Sequence, residues 1–340
     1  MTSRLDAHRI EAETLLGRRV FLGGVGVTLS GLGCSRRDPH LESKKAYAAL
    51  NDGVGGARVG EDAALGAPEA GPGGVRVVEW SFASDASEGT RAAVVLPRQD
   101  GTEGRFPVLV ALHGRGEARK GPELGALGWP RDYALTRAVK RLGSPPLTHE
   151  DFEGFVVPAR LAEHNAALAR TPYKGLVVVC PYLPDLDLKS PLALRDYGEF
   201  VRHVLLPRAR RELPVLSSAA GTGIDGVSLG GAVALRVGLG NPDVFSHVGS
   251  LQAAIDDPQI PELVDALRLA RVKSSSLRLR LLTSEKDYFR RVVTATSQAM
   301  RAANLDHDYL LVPGPHDYPF NRGPGALEML LWHDRGLART

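Results

Sequence analysis

The run Gly226-Val227-Ser228-Leu229-Gly230-Gly231 decides how this chain reads. Residues 222–227 (TGIDGV), leading into the serine, have the composition of a short buried strand, and residues 231–237 (GAVALRV) open a helix with apolar periodicity. Ser228 then lies on the turn between them, in a G-x-S-x-G pattern. A serine on such a turn takes a strained backbone conformation that lifts its hydroxyl clear of the sheet, and the residues two places either side must be small enough for strand and helix to approach closely. Gly226 and Gly230 fill those positions. The helix that follows aims its first N–H groups and the positive end of its dipole at the space beside the serine. The pattern nominates Ser228 as a nucleophile and the Leu229 N–H as one oxyanion donor. As a bare five-residue pattern it also fits a packing turn in which Ser228 only caps the helix.

Three further segments, in order along the chain, favour the chemical reading. Residues 106–112 (FPVLVAL) read as a central strand running into His113-Gly114-Arg115-Gly116, where a second oxyanion donor is expected from the N–H of Arg115 or else of Gly114. Residues 277–282 alternate into another strand that ends at Thr283-Ser284-Glu285-Lys286-Asp287, which makes Asp287 a loop carboxylate at the strand's carboxyl edge. Residues 309–312 form a short strand ahead of Pro313-Gly314-Pro315-His316-Asp317-Tyr318, a stiff loop that would hold one imidazole. A serine hydroxyl is a weak nucleophile at neutral pH. A histidine can take its proton and return it to the leaving group, while a carboxylate fixes the imidazole tautomer. Ser228, His316 and Asp287 supply those three roles, with no cofactor and no metal. Asp287 could instead be the N-cap of a helix starting at residue 288, with Glu285, Asp256 or Asp257 as the acid. His307 and His333 are the competing histidines, the first ahead of a strand and the second in a terminal helix pattern.

The order nucleophile, acid, base is that of the α/β-hydrolase fold, a mostly parallel sheet flanked by helices. Residues 224–252 (IDGVSLGGAVALRVGLGNPDVFSHVGSLQ) resemble the nucleophile region of its esterase D-like branch, and PGPHDYPFNR at 313–322 is similar to that branch's histidine loop. The branch takes in feruloyl and siderophore esterases, and mycolyl transferases. The resemblance spans about residues 76–335, is absent from 117–172, and implies a serine esterase working through an acyl-enzyme. An acyltransferase on the same fold, or a binding lipoprotein that has kept the fold without catalysis, are the alternatives.

Residues 117–172 read as an insertion at the carboxyl edge of the sheet, lid-like, with Trp129, Arg131 and Tyr133 as candidate pocket walls and helix patterns through residue 142 and over about 149–170. A packing excursion over the sheet face is the plainer reading of the same stretch. At the other end, Gly17-Arg18-Arg19-Val20-Phe21-Leu22 ahead of a weakly apolar, glycine-rich segment resembles a Tat-type export signal, too short to span a membrane. Cys34 closes that segment as a candidate lipidation site. The expected organisation is therefore a signal over 1–34, a Gly/Ala-rich tether over 35–75 and one catalytic domain over 76–340. The enzyme is expected outside the inner membrane, either lipid-anchored, periplasmic or secreted. A scattered net charge of +3, with Arg208, Arg210 and Arg211 near one helix end, gives no nucleic-acid surface. Cys180, in an apolar strand, is expected to be a buried inert thiol. The expected partner is a small-molecule or polysaccharide-linked ester, and the oligomeric state is open.

Overall fold

The computed structural model describes residues 74–82, 90–97 and 104–339; the export signal, Cys34 and most of the tether lie outside the described residues. Among the described residues, eight strands form one sheet in the order β1-β2-β4-β3-β5-β6-β7-β8. They are β1 (Arg76–Phe82), β2 (Thr90–Leu96), β3 (Val108–Leu112), β4 (Val177–Pro181), β5 (Thr222–Gly226), β6 (His247–Leu251), β7 (Arg278–Lys286) and β8 (Asp308–Pro315). The β1–β2 and β2–β4 pairs are antiparallel, and every pair from β4–β3 through β7–β8 is parallel. This is the α/β-hydrolase fold expected from the sequence.

Parallel strands covered on both faces read as continuous apolar runs, as β3 and β4 do, all ten of whose residues are buried. Their side chains still alternate. Val108, Val110 and Leu112 join one core with Val177 and Val179, whereas Leu109, Ala111, Val178 and Cys180 join the other. The first core is closed by α3 (Pro191–Phe200), α4 (Leu206–Glu212), α5 (Leu229–Gly240), α6 (Ile260–Lys273) and α7 (Arg290–Ala302). The second is closed by α1 (Leu135–Leu142), α2 (Pro158–Arg170) and α8 (Ala326–Gly336).

Several boundaries differ from those expected. The helix after the serine begins at Leu229, two residues early, because the elbow is a single-residue turn. β7 runs to Lys286 and β8 to Pro315, so the residues read as loops at 283–286 and 313–315 are strand, held by their mutual pairing. The helix pattern over 149–170 breaks into a short 3-10 turn, Glu150–Phe152, and α2, which starts with Pro158 at its first position. The stretch read as a lid is in large part a flanking layer. Trp129, Leu135, Leu142, Phe152 and Leu168 are buried in the second core, so their apolar periodicity serves sheet packing. Cys180 is buried and unpaired by disulfide, and burial raises its thiol pKa well above the usual range. Arg208 packs its guanidinium over the rings of Trp80 and Phe82 and pairs with Glu212.

Candidate active site

Ser228 follows β5 by two residues and has φ 58° and ψ −117°, a conformation that costs a non-glycine residue on the order of 1–3 kcal/mol. The surrounding backbone holds it there. Its N–H donates to Leu251 O at 2.9 Å, and its carbonyl accepts from Ala254 N at 2.9 Å and Ala232 N at 3.1 Å. The two flanking glycines are steric necessities: a Cβ on Gly226 would lie 2.5 Å from the backbone of Gly230, and one on Gly230 would lie 2.4 Å from Leu112 O. Leu229 is the first residue of α5, so its N–H has no acceptor within the helix.

Asp287 and His316 each come one residue after a strand end, and the residues before them, Lys286 and Pro315, are register partners. That pairing brings the two loops together. His316 Nδ1 lies 2.7 Å from Asp287 Oδ1, with the Asp287 side chain fully buried and the imidazole largely so. Asp287 is anchored by the Thr283 hydroxyl, which donates to Oδ2 at 2.6 Å, and by the Phe289 N–H, which donates to Oδ1 at 3.0 Å. An ionised carboxylate accepting at Oδ1 sets the proton of the imidazole on Nδ1 and leaves Nε2 as the basic nitrogen. The rings of Tyr288 and Phe289 flank the imidazole at 5.3 and 5.5 Å.

The competing residues have other partners. Asp256 caps the turn that leads into α6 in a capping box with Gln259, Asp257 pairs with Arg291 at the surface, and Glu285 is exposed on β7. His307 bonds Ser297 Oγ at 2.8 Å. His333 is fully buried against Asp225 at 3.0 Å, an aspartate that also pairs with Arg280.

In the loop after β3, the Gly114 N–H donates to Tyr133 Oη at 3.2 Å and is thereby occupied. The Gly114 carbonyl accepts from His113 Nδ1 at 2.9 Å, and since a trans peptide directs its N–H opposite its C=O, this contact aims the Arg115 N–H away from His113. Arg115 opens the short helical turn Arg115–Ala118, so that N–H has no partner in the turn, while its guanidinium pairs with Asp185 at 2.7 Å. Of the two donors considered for this loop, Arg115 is the one left free by the geometry. A Cβ on Gly114 would sit 3.7 Å from Ser228 Cβ, so the loop lies directly against the elbow.

Two positioning residues escaped the sequence reading. Gln252, at φ +47°, donates through Nε2 to Ser284 Oγ at 2.6 Å and Pro315 O at 2.8 Å, joining the ends of β6, β7 and β8 just ahead of His316. His113 is the second. Its Nε2 accepts the Leu183 N–H at 2.9 Å, which puts the proton on Nδ1, and burial pushes its pKa down to about 4. No local pattern marks Gln252, and the run His113-Gly114-Arg115-Gly116 points to its backbone donors and not to the His113 side chain. The pocket walls proposed from sequence also need correction. Trp129 is fully buried, and Tyr133 is buried with its ring edge-on to Trp129 at 5.0 Å, so neither faces an open pocket; Arg131 is exposed and pairs with Asp132.

The depressed His113 pKa has a consequence for stability. The unfolded chain binds a proton there near pH 6.5 but the folded chain only near 4, so acidification through that interval favours unfolding, by about 3 kcal/mol for this group. Burial lowers His247, to about 3, and His333 in the same sense, while Asp334, raised by burial, acts in the opposite one. A falling Tm between pH 6.5 and 4 is the expected result in a calorimetric series, and a constant Tm would contradict a neutral buried His113.

The family model described as "Putative esterase" matches residues 186–318, a span that holds Ser228, Asp287 and His316. That segment resembles the esterase branch of the α/β-hydrolases. Among solved structures, the chain is similar in fold to a ferulic acid esterase, with a TM-score of 0.58 and 17% identity, covering 78% of this chain and 99% of that one. It also resembles an S-formylglutathione hydrolase from Staphylococcus aureus, with a TM-score of 0.53 and 15% identity over 76% of this chain and 96% of that one. An enterobactin esterase from Shigella flexneri gives a TM-score of 0.51 and 19% identity over 79% of this chain and 60% of that one. A cavity of about 490 Å³ opens at the other edge of the sheet, beside His247, Arg278 and Asp308, which begin β6, β7 and β8.

Proposed function

We propose that the protein hydrolyses a carboxylic ester with Ser228 as nucleophile, His316 as general base and acid, and Asp287 as the carboxylate that orients and stabilises the imidazole. The observation that carries this reading is the 2.7 Å contact from His316 Nδ1 to the buried Asp287 Oδ1, at the same sheet edge as the strained Ser228 turn. Ser228 Oγ attacks the ester carbonyl carbon as its proton passes to His316 Nε2. The carbonyl oxygen, now an anion, is held by the N–H groups of Leu229 and Arg115, each such donor contributing on the order of 3 kcal/mol at the transition state. The C–O bond to the alcohol breaks, the leaving oxygen takes the proton from Nε2, and an acyl-serine remains. Water then attacks the acyl carbon while His316 takes its proton, and collapse returns free acid and Ser228–OH. The substrate class is a small-molecule or polysaccharide-linked ester.

The test is reaction with a fluorophosphonate probe followed by peptide mapping. Stoichiometric labelling at Ser228 is expected; an unlabelled, folded protein would favour a binding role instead. Faster release of acyl groups to added alcohol than to water would turn the assignment to acyl transfer.

We further propose that the chain is exported in folded form through Arg18 and Arg19 and retained at the membrane by lipid on Cys34. Support comes from the RRVFL run and from the cysteine that closes the weakly apolar segment ahead of a Gly/Ala-rich tether. Retention would then rest on acyl chains, whose burial contributes about 0.8 kcal/mol per methylene. Cys34→Ser is expected to move activity from the membrane to the soluble periplasmic fraction, and Arg18→Lys with Arg19→Lys to hold precursor in the cytoplasm. A soluble periplasmic wild type would refute the anchor, and a cytoplasmic one with an intact N-terminus would refute export.

A further inference from the structure

Glu117 is a buried carboxylate with no part in the proton transfers above, and its contacts are unusual. The Tyr133 hydroxyl donates to its Oε2, and the Tyr318 hydroxyl donates to its Oε1 at 2.6 Å; Lys120 Nζ approaches Oε1 at 3.4 Å and is itself held by Asp132 at 2.8 Å. Glu117 is 1% exposed and Tyr133 2%. Burying a carboxylate is costly unless its lone pairs are filled, and here two hydroxyls and an ammonium fill them. The two tyrosines come from different parts of the fold. Tyr133 reaches in from the stretch ahead of α1 and accepts the Gly114 N–H, while Tyr318 lies two residues beyond His316.

We propose that Glu117 is a positioning residue that holds the oxyanion loop and the histidine loop in common register through the hydroxyls of Tyr133 and Tyr318. The inference rests on the Ser228 reading given above. An ionised carboxylate only accepts, so both tyrosine protons must point at Glu117. Tyr133 Oη then has only lone pairs to offer the Gly114 N–H. Its proton is secure, since burial raises the phenol well above its usual pKa. With the Gly114 N–H tied to Tyr133 and the Gly114 carbonyl tied to His113, both peptide planes around Gly114 are locked, and the Arg115 N–H is presented beside Ser228 without reorganisation during reaction. Tyr318 couples this arrangement to the His316 loop, its ring 5.7 Å from that of Tyr133 and its hydroxyl 3.4 Å from where a Cβ on Gly116 would stand.

The experiment uses rates that a merely structural role would leave unchanged. Tyr133→Phe keeps the ring against Trp129 but removes both bonds of the hydroxyl. It is expected to slow phosphonylation of Ser228 by a fluorophosphonate about tenfold or more, and to lower kcat on a p-nitrophenyl ester by a similar factor with KM within about twofold. Tyr318→Phe, at a more exposed site, should lower both rates by a smaller factor and serves as the deciding variant if Tyr133→Phe does not fold. A labelled wild type with unchanged rates in a folded variant would overturn the inference alone. A wild type that the probe does not label at Ser228 would remove the serine assignment and this inference with it.

Discussion

Ser228→Ala is expected to lower ester turnover by on the order of a million-fold, leaving only what the oxyanion donors and substrate binding contribute without a nucleophile. Alanine keeps the Cβ at φ 58°, so the elbow and its bonds to Leu251, Ala254 and Ala232 are retained and Tm should move little. The parallel Ser228→Gly variant should be equally inactive but more stable by on the order of 1 kcal/mol, because glycine relieves the strain. Turnover of a short p-nitrophenyl ester, read with the Tm of each purified variant, checks both. An alanine variant within a few-fold of wild type would take Ser228 out of the mechanism.

Asp287→Asn should cost on the order of ten-thousand-fold in kcat. The amide Nδ2 can donate where the carboxylate only accepts, and an Asn turned to donate to His316 Nδ1 would put the imidazole proton on Nε2, the nitrogen that must act as base. Asp287 Oδ2 already accepts from Thr283 and Oδ1 from Phe289 N, contacts that favour the oxygen of an asparagine at one of these positions and leave its NH₂ at the other. The measurement is kcat against pH, with crystallography or CD to show an unchanged fold. If Asp287→Asn is nearly silent while Asp256→Asn, Asp257→Asn or Glu285→Gln is severe, the acid lies elsewhere. The structure leaves those three engaged in a cap, a surface ion pair and solvent exposure.

Much of the architecture could be read along the chain because it is written in local periodicity. The apolar runs at 108–112 and 177–181 are short because the strands are, and they are continuous because parallel strands are covered on both faces. The glycines at 226 and 230 announce the elbow, since any Cβ there would strike backbone. What the local pattern misjudged were the ends. β7 and β8 extend each other through pairing that no window of sequence contains, and residues 117–172 present the same apolar face whether they cover a sheet or a pocket.

The sequence by itself determined the fold class and the order in which Ser228, Asp287 and His316 follow one another at strand ends, because each is signalled by a turn or strand edge within a few residues. Only the tertiary structure decided which groups meet. It brought Asp287 to His316 across the ends of two paired strands, left Arg115 as the free donor by giving the Gly114 N–H to Tyr133, and buried Trp129 in the second core. It also joined Glu117 to Tyr318, 201 positions apart. Such contacts form only after sheet register and helix packing are complete, so no stretch of the chain carries them alone.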